Sequence, residues 1–167
     1  MSRKYLNERW CVRCHKEDPT PYLRDNISNL GLKNDTMILD LGCGNGRNTK
    51  FLNMIGYKNV HPIDMAGDFG TKLVLGVDCL PFKDKSIGAI MCNYVFMFLN
   101  QKERNCLLKE IKRVASAKCK IMIELYPAKD SETKDKEESI KLQEDLFKKL
   151  GWKKIKYSQN RFIATNE

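Results

Sequence analysis

Short apolar runs alternate with amphipathic stretches along most of this 167-residue chain. Runs of strand length, rich in aliphatic residues, occupy 36–41, 59–64, 71–77, 87–92 and 119–126. Stretches with helical spacing occupy 22–31, 47–55, 101–116 and 140–150. Strands that alternate with helices favour parallel pairing through right-handed crossovers. The pattern therefore predicts an α/β protein with a doubly wound, mostly parallel open sheet.

Three of the predicted helices carry an apolar stripe with helical spacing, as in a helix that packs on a sheet. The stripes comprise Tyr22, Leu23, Ile27 and Leu30 in the first helix, Phe51, Leu52 and Ile55 in the second, and Leu107, Leu108, Ile111 and Val114 in the third. Gly31, Gly56 and Gly151 stand at three helix ends, where glycine is common. We therefore expect helices to cover the sheet.

The last part of the chain predicts an antiparallel hairpin. Residues 152–157 and 161–165 read as two strands joined by the link 158–160. The charged stretch 131–139 is expected to be exposed and to precede the helix at 140–150. Pro62, inside the second strand, lacks a backbone donor and indicates a bend or an edge position.

Composition is typical of a globular intracellular protein. Hydrophobic residues make up 42% and charged residues 31% of the chain. No apolar run approaches the roughly 20 residues of a membrane helix, and the N-terminus lacks the apolar core of a signal peptide. We therefore expect one cytoplasmic domain over 1–167 with no membrane partner. An N-terminal helical segment, 1–35, would precede the α/β core, 36–167.

The seven cysteines are an odd number, and most lie in apolar contexts, so we interpret them as reduced core residues. Cys11, Cys14 and His15 have the spacing of a haem-attachment motif and of half a zinc site. Haem attachment requires export, and a zinc site requires four ligands, whereas His61 is the only other histidine. We therefore predict no metal site and interpret the cluster as a reduced pair in an N-terminal helix or loop.

The net charge of +9 reflects basic residues that are concentrated between Lys102 and Lys120. A basic face could bind nucleic acid or an acidic substrate, but a solvated helix face is the commoner origin of such a pattern. The sequence has no RNA-binding signature and no alternation of basic and aromatic residues. Nucleic acid is therefore the less favoured partner.

The motif that points to chemistry is LDLGCGNGRNTKFL, residues 39–52, where three glycines separate a predicted strand from a helix. Glycine permits positive φ and close approach of a ligand, and such a turn directs backbone N–H groups at it. The spacing matches neither the dinucleotide fingerprint nor a P-loop. Asp40, just upstream, would repel a pyrophosphate and would suit an ammonium or a sulfonium. The alternative is a turn whose glycines serve packing alone.

MILDLGCGNGRNTKFL resembles the first motif of class I S-adenosylmethionine-dependent methyltransferases of the type 11 group. VHPID resembles the end of that family's second strand, and LGVDCLPFKDKSIGAIMCNYVFMFL resembles its D-x-x-x-L-P-F-x-D-x-S-F-D stretch and the strand that follows. ERNCLLKEIKRV resembles the helix before its fifth strand. The resemblance spans about residues 36–125. It implies a Rossmann-like fold, the cofactor S-adenosyl-L-methionine and transfer of a methyl group.

The resemblance also implies a set of cofactor-binding residues: Asp40, Gly42, Cys43, Gly44, Asn45, Gly46, Asp64, Met65, Asp78, Cys79, Leu80 and Asn93. The glycines would line the methionine and ribose, and Asp40 would help to hold the amino end. Asp64 would accept from the two ribose hydroxyls, and Asp78 from the adenine amino group, with the next two residues beside the ring. Asn93 would face the methionine part or the acceptor. Asp64 as a turn cap and Asp78 as an ordinary loop residue are the structural alternatives.

The chain departs from the family pattern at several points. Only residues 65–70 separate Asp64 from the third predicted strand, too few for the usual helix. Phe98 stands where a histidine is frequent, and Gly88 stands where an aspartate is common. Residues 115–120, ASAKCK, replace the usual L-K-P-G-G turn. These departures concern the subfamily more than cofactor binding.

The methyl acceptor and any general base stay open. A sulfonium methyl is already activated, so positioning can supply much of the catalysis, and a base is needed only if the acceptor must lose a proton. Asn93, Tyr94, Glu124 and Tyr126 lie near strand ends, and none is singled out as a base. Glu124 could equally be a buried, paired carboxylate.

Three functions remain. A methyltransferase acting on a small molecule is favoured, an RNA or protein methyltransferase using the basic face is second, and a non-catalytic cofactor-binding module is third. The signatures of amino-directed and cytosine-directed DNA methyltransferases are missing from the sequence. The N-terminal part, with Tyr5, Trp10, Tyr22 and Arg24, is expected to form a lid or to contact the acceptor. The sequence does not predict an oligomeric state.

Overall fold

Strands and helices alternate along the part of the chain that the computed structural model describes, residues 18–64, 79–125, 133–158 and 160–167. The strands are β1 (Ile38–Leu41), β2 (Val60–Ile63), β3 (Ile87–Asn93), β4 (Ala115–Glu124), β5 (Lys153–Ser158) and β6 (Arg161–Thr165). The helices are α1 (Pro21–Asn26), α2 (Arg47–Met54), α3 (Gln101–Val114) and α4 (Thr133–Leu150). Short 3-10 turns cover Ile27–Leu30 and Phe96–Phe98.

The six described strands form one sheet in the order β2-β1-β3-β4-β6-β5. Strands β2, β1, β3 and β4 are parallel, whereas β6 is antiparallel to β4 and β5. The predicted α/β fold with a mostly parallel sheet and a C-terminal antiparallel hairpin is therefore confirmed. Pro62 lies in β2, which pairs with β1 alone among the described strands.

Strand ends define two edges of the sheet. The register places Asn93 of β3 beside Glu124 of β4, and Glu124 opposite Arg161 of β6. These residues lie at the carboxyl edge, the edge where the parallel strands end. Thr165 and Lys153 pair at the other, amino edge.

Alternating side chains of the strands enter two cores on opposite faces of the sheet. Leu39 and Ile121 belong to a cluster that includes residues of α3 and α4, whereas Ile38 and Met122 belong to a cluster that includes residues of α1 and α2. Every residue of β1 is buried. Helices therefore cover both faces, as expected for a strand with a nearly continuous apolar sequence.

Helix α3 begins at the predicted residue because a capping box precedes it. The Glu103 N–H donates to Asn100 Oδ1 at 3.0 Å, and the Asn100 N–H donates to Glu103 Oε2 at 2.7 Å. The predicted apolar stripe between Leu107 and Val114 is buried. Local capping and periodicity thus determine this helix together.

Three predicted details are wrong. Helix α4 begins at Thr133 rather than at the predicted residue 140, so most of the charged stretch belongs to the helix. Opposite charges four residues apart in this stretch favour a helix. Strand β4 begins at Ala115, directly after α3, rather than at the predicted residue 119, and Lys118 within it adopts a left-handed φ of 61°. Ile55 is 42% exposed rather than inward, because α2 ends at Met54.

The prediction that the cysteines are reduced core residues is confirmed for three of the five described cysteines. Cys43, Cys92 and Cys119 are buried free thiols, whereas Cys79 is exposed and Cys106 is half-buried. Cys79 departs from the prediction because it lies in a loop rather than on a strand. None of the helices in the described residues is long and apolar enough to cross a bilayer.

Several predictions concern residues outside the described ranges. They are the third predicted strand at 71–77, the cluster of Cys11, Cys14 and His15, and the single residues Tyr5, Trp10 and Tyr126. They stay predictions.

The capping box gives a direct test of how α3 begins. We expect Asn100→Ala to lower the free energy of unfolding by about 1 kcal/mol, because the Glu103 N–H loses its side-chain acceptor, while the backbone N–H of residue 100 can still donate to Glu103. Urea denaturation measures this change. Asn105→Ala is the matched control, since Asn105 is exposed on the same helix and accepts only a side-chain bond from Gln101. Its effect should stay within about 0.5 kcal/mol; equal losses in both variants would contradict the capping role.

Candidate cofactor site at the carboxyl edge

The chain passes from β1 into α2 through Gly42, Gly44 and Gly46, all in left-handed backbone conformations. Their φ angles are 73°, 53° and 76°. Residues with a Cβ rarely adopt such angles. Gly46 is the N-cap of α2. The backbone path therefore requires glycine here, and the turn lies at the carboxyl edge of the sheet.

The space around the three glycines differs. A Cβ at Gly42 would lie 2.2 Å from Val95 Cγ2, so Gly42 allows the turn to pack against the segment after β3. A Cβ at Gly44 or at Gly46 would meet no atom of the described residues within 4 Å. Packing therefore accounts for Gly42, whereas Gly44 and Gly46 border open space in which a ligand can approach the main chain.

The inner N–H groups of the turn are occupied within the fold. The Gly42 and Cys43 N–H groups donate to the Ile63 carbonyl at 2.7 and 3.1 Å. The Gly44 N–H donates to Asp64 Oδ2 at 2.7 Å. The expectation that the turn directs free N–H groups at its ligand is wrong for these three residues, because the end of β2 accepts their hydrogen bonds. A turn that binds phosphate needs such donors free.

Asp40 places a buried carboxylate directly beneath the turn. It is 1% exposed, and Thr49 of α2 donates its hydroxyl to Asp40 Oδ2. Burial raises the pKa of Asp40 to about 6, and the nearby charge of Asp64 adds to the effect, while the hydrogen bonds from Thr49 oppose it. A positive ligand group above the turn would favour the ionised form.

Asp64 follows β2 and is half-buried beside the turn. Its Oδ2 accepts the Gly44 N–H, so the carboxylate joins the tip of β2 to the turn after β1. The bond to Gly44 therefore places the Asp64 carboxylate at the glycine turn.

Two side chains of α3 hold the described residues before β3, 79–86. The Leu80 N–H donates to Glu110 Oε2 at 2.8 Å, and Arg113 donates to the carbonyls of Leu80 and Phe82 at 2.9 and 2.8 Å. Arg113 also pairs with Asp84 at 2.8 Å. This network fixes the loop that follows the predicted adenine contact.

Asn93, at the end of β3, belongs to a buried polar network. Its Nδ2 donates to Glu124 Oε2 at 2.9 Å and to Thr20 Oγ1 at 3.3 Å. Its Oδ1 accepts from Asn48 Nδ2 of α2 at 3.5 Å. Asn93 and Glu124 are 7% and 3% exposed. Glu124 is thus a buried, hydrogen-bonded carboxylate, one of the two alternatives that the sequence left open.

The model of a family described as "Methyltransferase domain" matches residues 39–123, from β1 through β4. The chain belongs to this methyltransferase family. The match includes the glycine turn, Asp64 and Asn93, so the family predicted from the sequence is confirmed.

Solved structures share the methyltransferase fold at low sequence identity. A SAM-dependent methyltransferase from Aquifex aeolicus is 21% identical with a TM-score of 0.63, over 89% of this chain and 93% of that one. One from Archaeoglobus fulgidus is 17% identical with a TM-score of 0.64, over 91% and 70%. Geranyl diphosphate C-methyltransferase from Streptomyces coelicolor, solved with Mg²⁺, geranyl diphosphate and S-adenosyl-L-homocysteine, is 17% identical with a TM-score of 0.54, over 62% and 44%. Comparison with curated protein sequences finds no significant match.

The methyltransferase fold brings together part of the predicted cofactor set. Asp40 and Asp64 flank the glycine turn, and Asn93 connects to α2 through Asn48. Asn45 accepts a hydrogen bond from a backbone N–H at the start of α2. Roles in cofactor binding stay predictions for all of them.

Of the other predicted cofactor residues that are not glycines, three lie within the described ranges and two do not. The side chains of Cys43 and Leu80 are 6% and 2% exposed, so both point into the protein, whereas Cys79 is exposed. Met65 and Asp78 lie outside the described residues.

Sequence reasoning missed several contributors to this site. Thr49 bonds Asp40 from α2, and nothing local in the sequence links the two residues. Asn48 is a buried polar residue that the amphipathic pattern of α2 does not distinguish. Arg113 lies in the stretch that its charge assigned to the basic face, but together with Glu110 it holds the loop before β3. The spacing of three residues between Glu110 and Arg113 on one helix is the feature of the sequence that could have indicated this pair.

The raised pKa of Asp40 predicts a pH dependence of stability in the cofactor-free protein. The folded protein holds this proton more tightly than the unfolded chain, so stability from Asp40 is present below its unfolded pKa of 3.8 and is lost as pH rises through about 6. The expected loss is about 3 kcal/mol. Asp40→Asn removes this pH dependence, because an amide does not titrate, and its oxygen can still accept from Thr49.

Urea denaturation of both proteins between pH 4 and pH 7.5 measures the difference. The stability of Asp40→Asn relative to the wild type should increase across this range. A constant difference would show that Asp40 has an ordinary pKa.

Proposed function

We propose that this methyltransferase binds S-adenosyl-L-methionine over the glycine turn and transfers the methyl group to a small molecule. The observation that carries the proposal is open space above Gly44 and Gly46, flanked by Asp40 and Asp64, with the inner amides already occupied. A pyrophosphate needs free N–H donors and is repelled by carboxylates. A cofactor with an ammonium and a sulfonium gains from both carboxylates. These features favour S-adenosyl-L-methionine over a dinucleotide.

S-adenosyl-L-methionine supplies a methyl group that is activated by the sulfonium. The chain's own residues position it: Asp40 provides negative charge near the amino end, and Asp64 accepts from the ribose hydroxyls. Asp78 accepts from the adenine amino group, next to the loop that Arg113 fixes. Orientation of the acceptor in line with the methyl group can then provide much of the rate enhancement.

The distribution of positive charge supports a small acceptor rather than RNA. Lys118 and Lys120 lie near the start of β4, and pairing through Thr165 places Lys153 level with Lys120. Lys112 Nζ donates to the Lys149 carbonyl at 2.7 Å, where α3 and α4 end. These lysines lie toward the amino edge, at the ends of the strands opposite to the glycine turn. A nucleic acid bound to them would not reach the turn directly.

Calorimetry tests the cofactor site. We expect the wild type to bind S-adenosyl-L-methionine and not NAD. Asp64→Asn should weaken binding on the order of 10- to 100-fold, because one acceptor and the charge are lost while an oxygen remains for Gly44. Asp35→Asn is the matched control, since Asp35 is an exposed loop residue before β1, and its binding should be unchanged. Preferential NAD binding, or equal binding by both variants, would refute the proposed site.

Transfer of a labelled methyl group from S-adenosyl-L-methionine tests catalysis. The wild type is incubated with cell extract that has been separated into nucleic acid, protein and small-molecule fractions. We expect label in the small-molecule fraction. Label only in nucleic acid or protein would favour the second function, and tight cofactor binding without transfer to any fraction would favour a non-catalytic module.

A further inference from the structure

A row of polar residues crosses three neighbouring strands at the carboxyl edge, beside the glycine turn. Asn93 ends β3, Glu124 ends β4 next to it, and Arg161 begins β6 opposite Glu124. Tyr94 follows Asn93, and Tyr22 of α1 lies against Arg161. We call these five residues the edge cluster. None of the cofactor contacts proposed above uses Arg161 or Tyr22.

Within the edge cluster the carboxylate already has its partners. Glu124 accepts from Asn93 Nδ2 at 2.9 Å and from the Tyr94 hydroxyl, and it lies 3.6 Å from Arg161 Nη1. Tyr94 has a φ of 60°, and its N–H donates to the Glu124 carbonyl at 2.7 Å. A non-glycine residue held in this conformation costs energy and is typical of functional sites. Glu124 is therefore satisfied from inside the fold and orients Arg161.

The guanidinium of Arg161 has N–H donors that can bind a ligand. Its side chain is 38% exposed, and its guanidinium lies 4.9 Å from the centre of the Tyr22 ring. The separation of 3.6 Å from Glu124 is an ion pair rather than a hydrogen bond. No hydrogen bond from the guanidinium to another described residue accompanies it. A guanidinium presents five N–H donors in a planar fork, which is suited to carboxylate and phosphate.

Tyr22 is an independent sign of a ligand. The residue is 4% exposed, and its hydroxyl has no hydrogen-bond partner in the described structure. Burial raises the pKa of Tyr22 to about 12, and the charges of Arg161 and Glu124 also act on it, so the hydroxyl is a neutral donor close to both. A buried hydroxyl without a partner is destabilising. Its presence next to Arg161 points to a partner that arrives from outside the chain.

We propose that Arg161 and Tyr22 bind an anionic oxygen group of the methyl acceptor, a carboxylate or a phosphate. The inference rests on the proposed methyl transfer and adds the chemical class of the acceptor. Three strand spacings, about 14 Å, separate β1 from β6. An anion held at Arg161 thus leaves room for the acceptor's reacting atom near Asn93 and the glycine turn.

Tyr22→Phe separates this role from a structural one. Loss of the unpartnered hydroxyl should raise the Tm by about 2–4 °C, and the acceptor's KM should rise on the order of 10-fold with kcat little changed. Thr165→Val is the matched control, because Thr165 has the other buried hydroxyl without a partner among the described residues and lies at the amino edge. It should raise the Tm without any change in KM. Equal KM values for both variants would overturn the role of Tyr22.

Arg161→Gln should lower kcat/KM on the order of 100-fold while the affinity for S-adenosyl-L-methionine stays within about twofold of the wild type. Arg161→Lys should recover part of the loss. Lys149→Gln is the control, since Lys149 is a partly exposed basic residue paired with Asp145 near the end of α4, and it should leave both quantities unchanged. A wild-type kcat/KM in Arg161→Gln would contradict the proposal.

The charge of the acceptor is tested on the small-molecule fraction of cell extract, passed over an anion exchanger at neutral pH before labelled methyl transfer. We expect the acceptor in the retained material. Label only in the flow-through would overturn the proposal and leave the methyltransferase function intact.

Anion binding is also tested without methyl transfer, so that failure of the proposed function can be distinguished. Inorganic phosphate and acetate are titrated separately into the wild type and Arg161→Gln, and arginine Nε–H signals are followed by NMR. One signal should shift in the wild type and be missing from Arg161→Gln, and the salt that shifts it identifies phosphate or carboxylate. No shift with either salt would overturn the anion site, whatever the result with S-adenosyl-L-methionine.

Discussion

The structure depends on how β1 ends. The chain must leave a strand that is buried on both faces and enter α2 within five residues, and three left-handed glycines make that path available. The hydrogen bond from Gly44 to Asp64 then joins this turn to the tip of β2, and Gly42 brings it against Val95. Because the inner amides and the packing are satisfied by the protein itself, the outer surface of the turn can stay open without loss of the fold. The same contacts leave Asp64 half-buried beside the turn and Asp40 buried beneath it, and these two carboxylates are the basis for proposing a positively charged ligand.

Charge is separated across the sheet. Carboxylates gather at the carboxyl edge, where Asp40, Asp64 and Glu124 lie at the ends of β1, β2 and β4. Lysines lie toward the opposite edge, where α3 and α4 end and β5 begins, and basic side chains near helix C-termini are favourable in their own right. The net charge of +9 thus does not reflect one basic face at the site, because Lys112, Lys118, Lys120 and Lys153 lie toward the amino edge, whereas Arg161 lies at the carboxyl edge.

Local patterns in the sequence were sufficient for most of the fold. The capping box before α3, its apolar stripe and the glycines after β1 each act within a few residues, so their consequences can be predicted without a structure. The family resemblance implied the Rossmann-like fold, and the strand order came from the structure. Ile55 and the start of α4 were wrong because helix ends depend on small differences in local free energy. The sequence places Asn93, Tyr94 and Glu124 near strand ends. Their meeting with Arg161 could not be predicted, because it depends on the register of three strands. Thr49 and Asp40 likewise meet only when α2 has packed on β1.

A crystal structure of the protein with S-adenosyl-L-homocysteine tests the position of the cofactor most directly. We expect the ligand over Gly44 and Gly46, with its ribose hydroxyls at Asp64 and its amino group toward Asp40. A ligand bound elsewhere, or an open turn at saturating S-adenosyl-L-homocysteine, would contradict the central claim that the end of β1 forms the cofactor site.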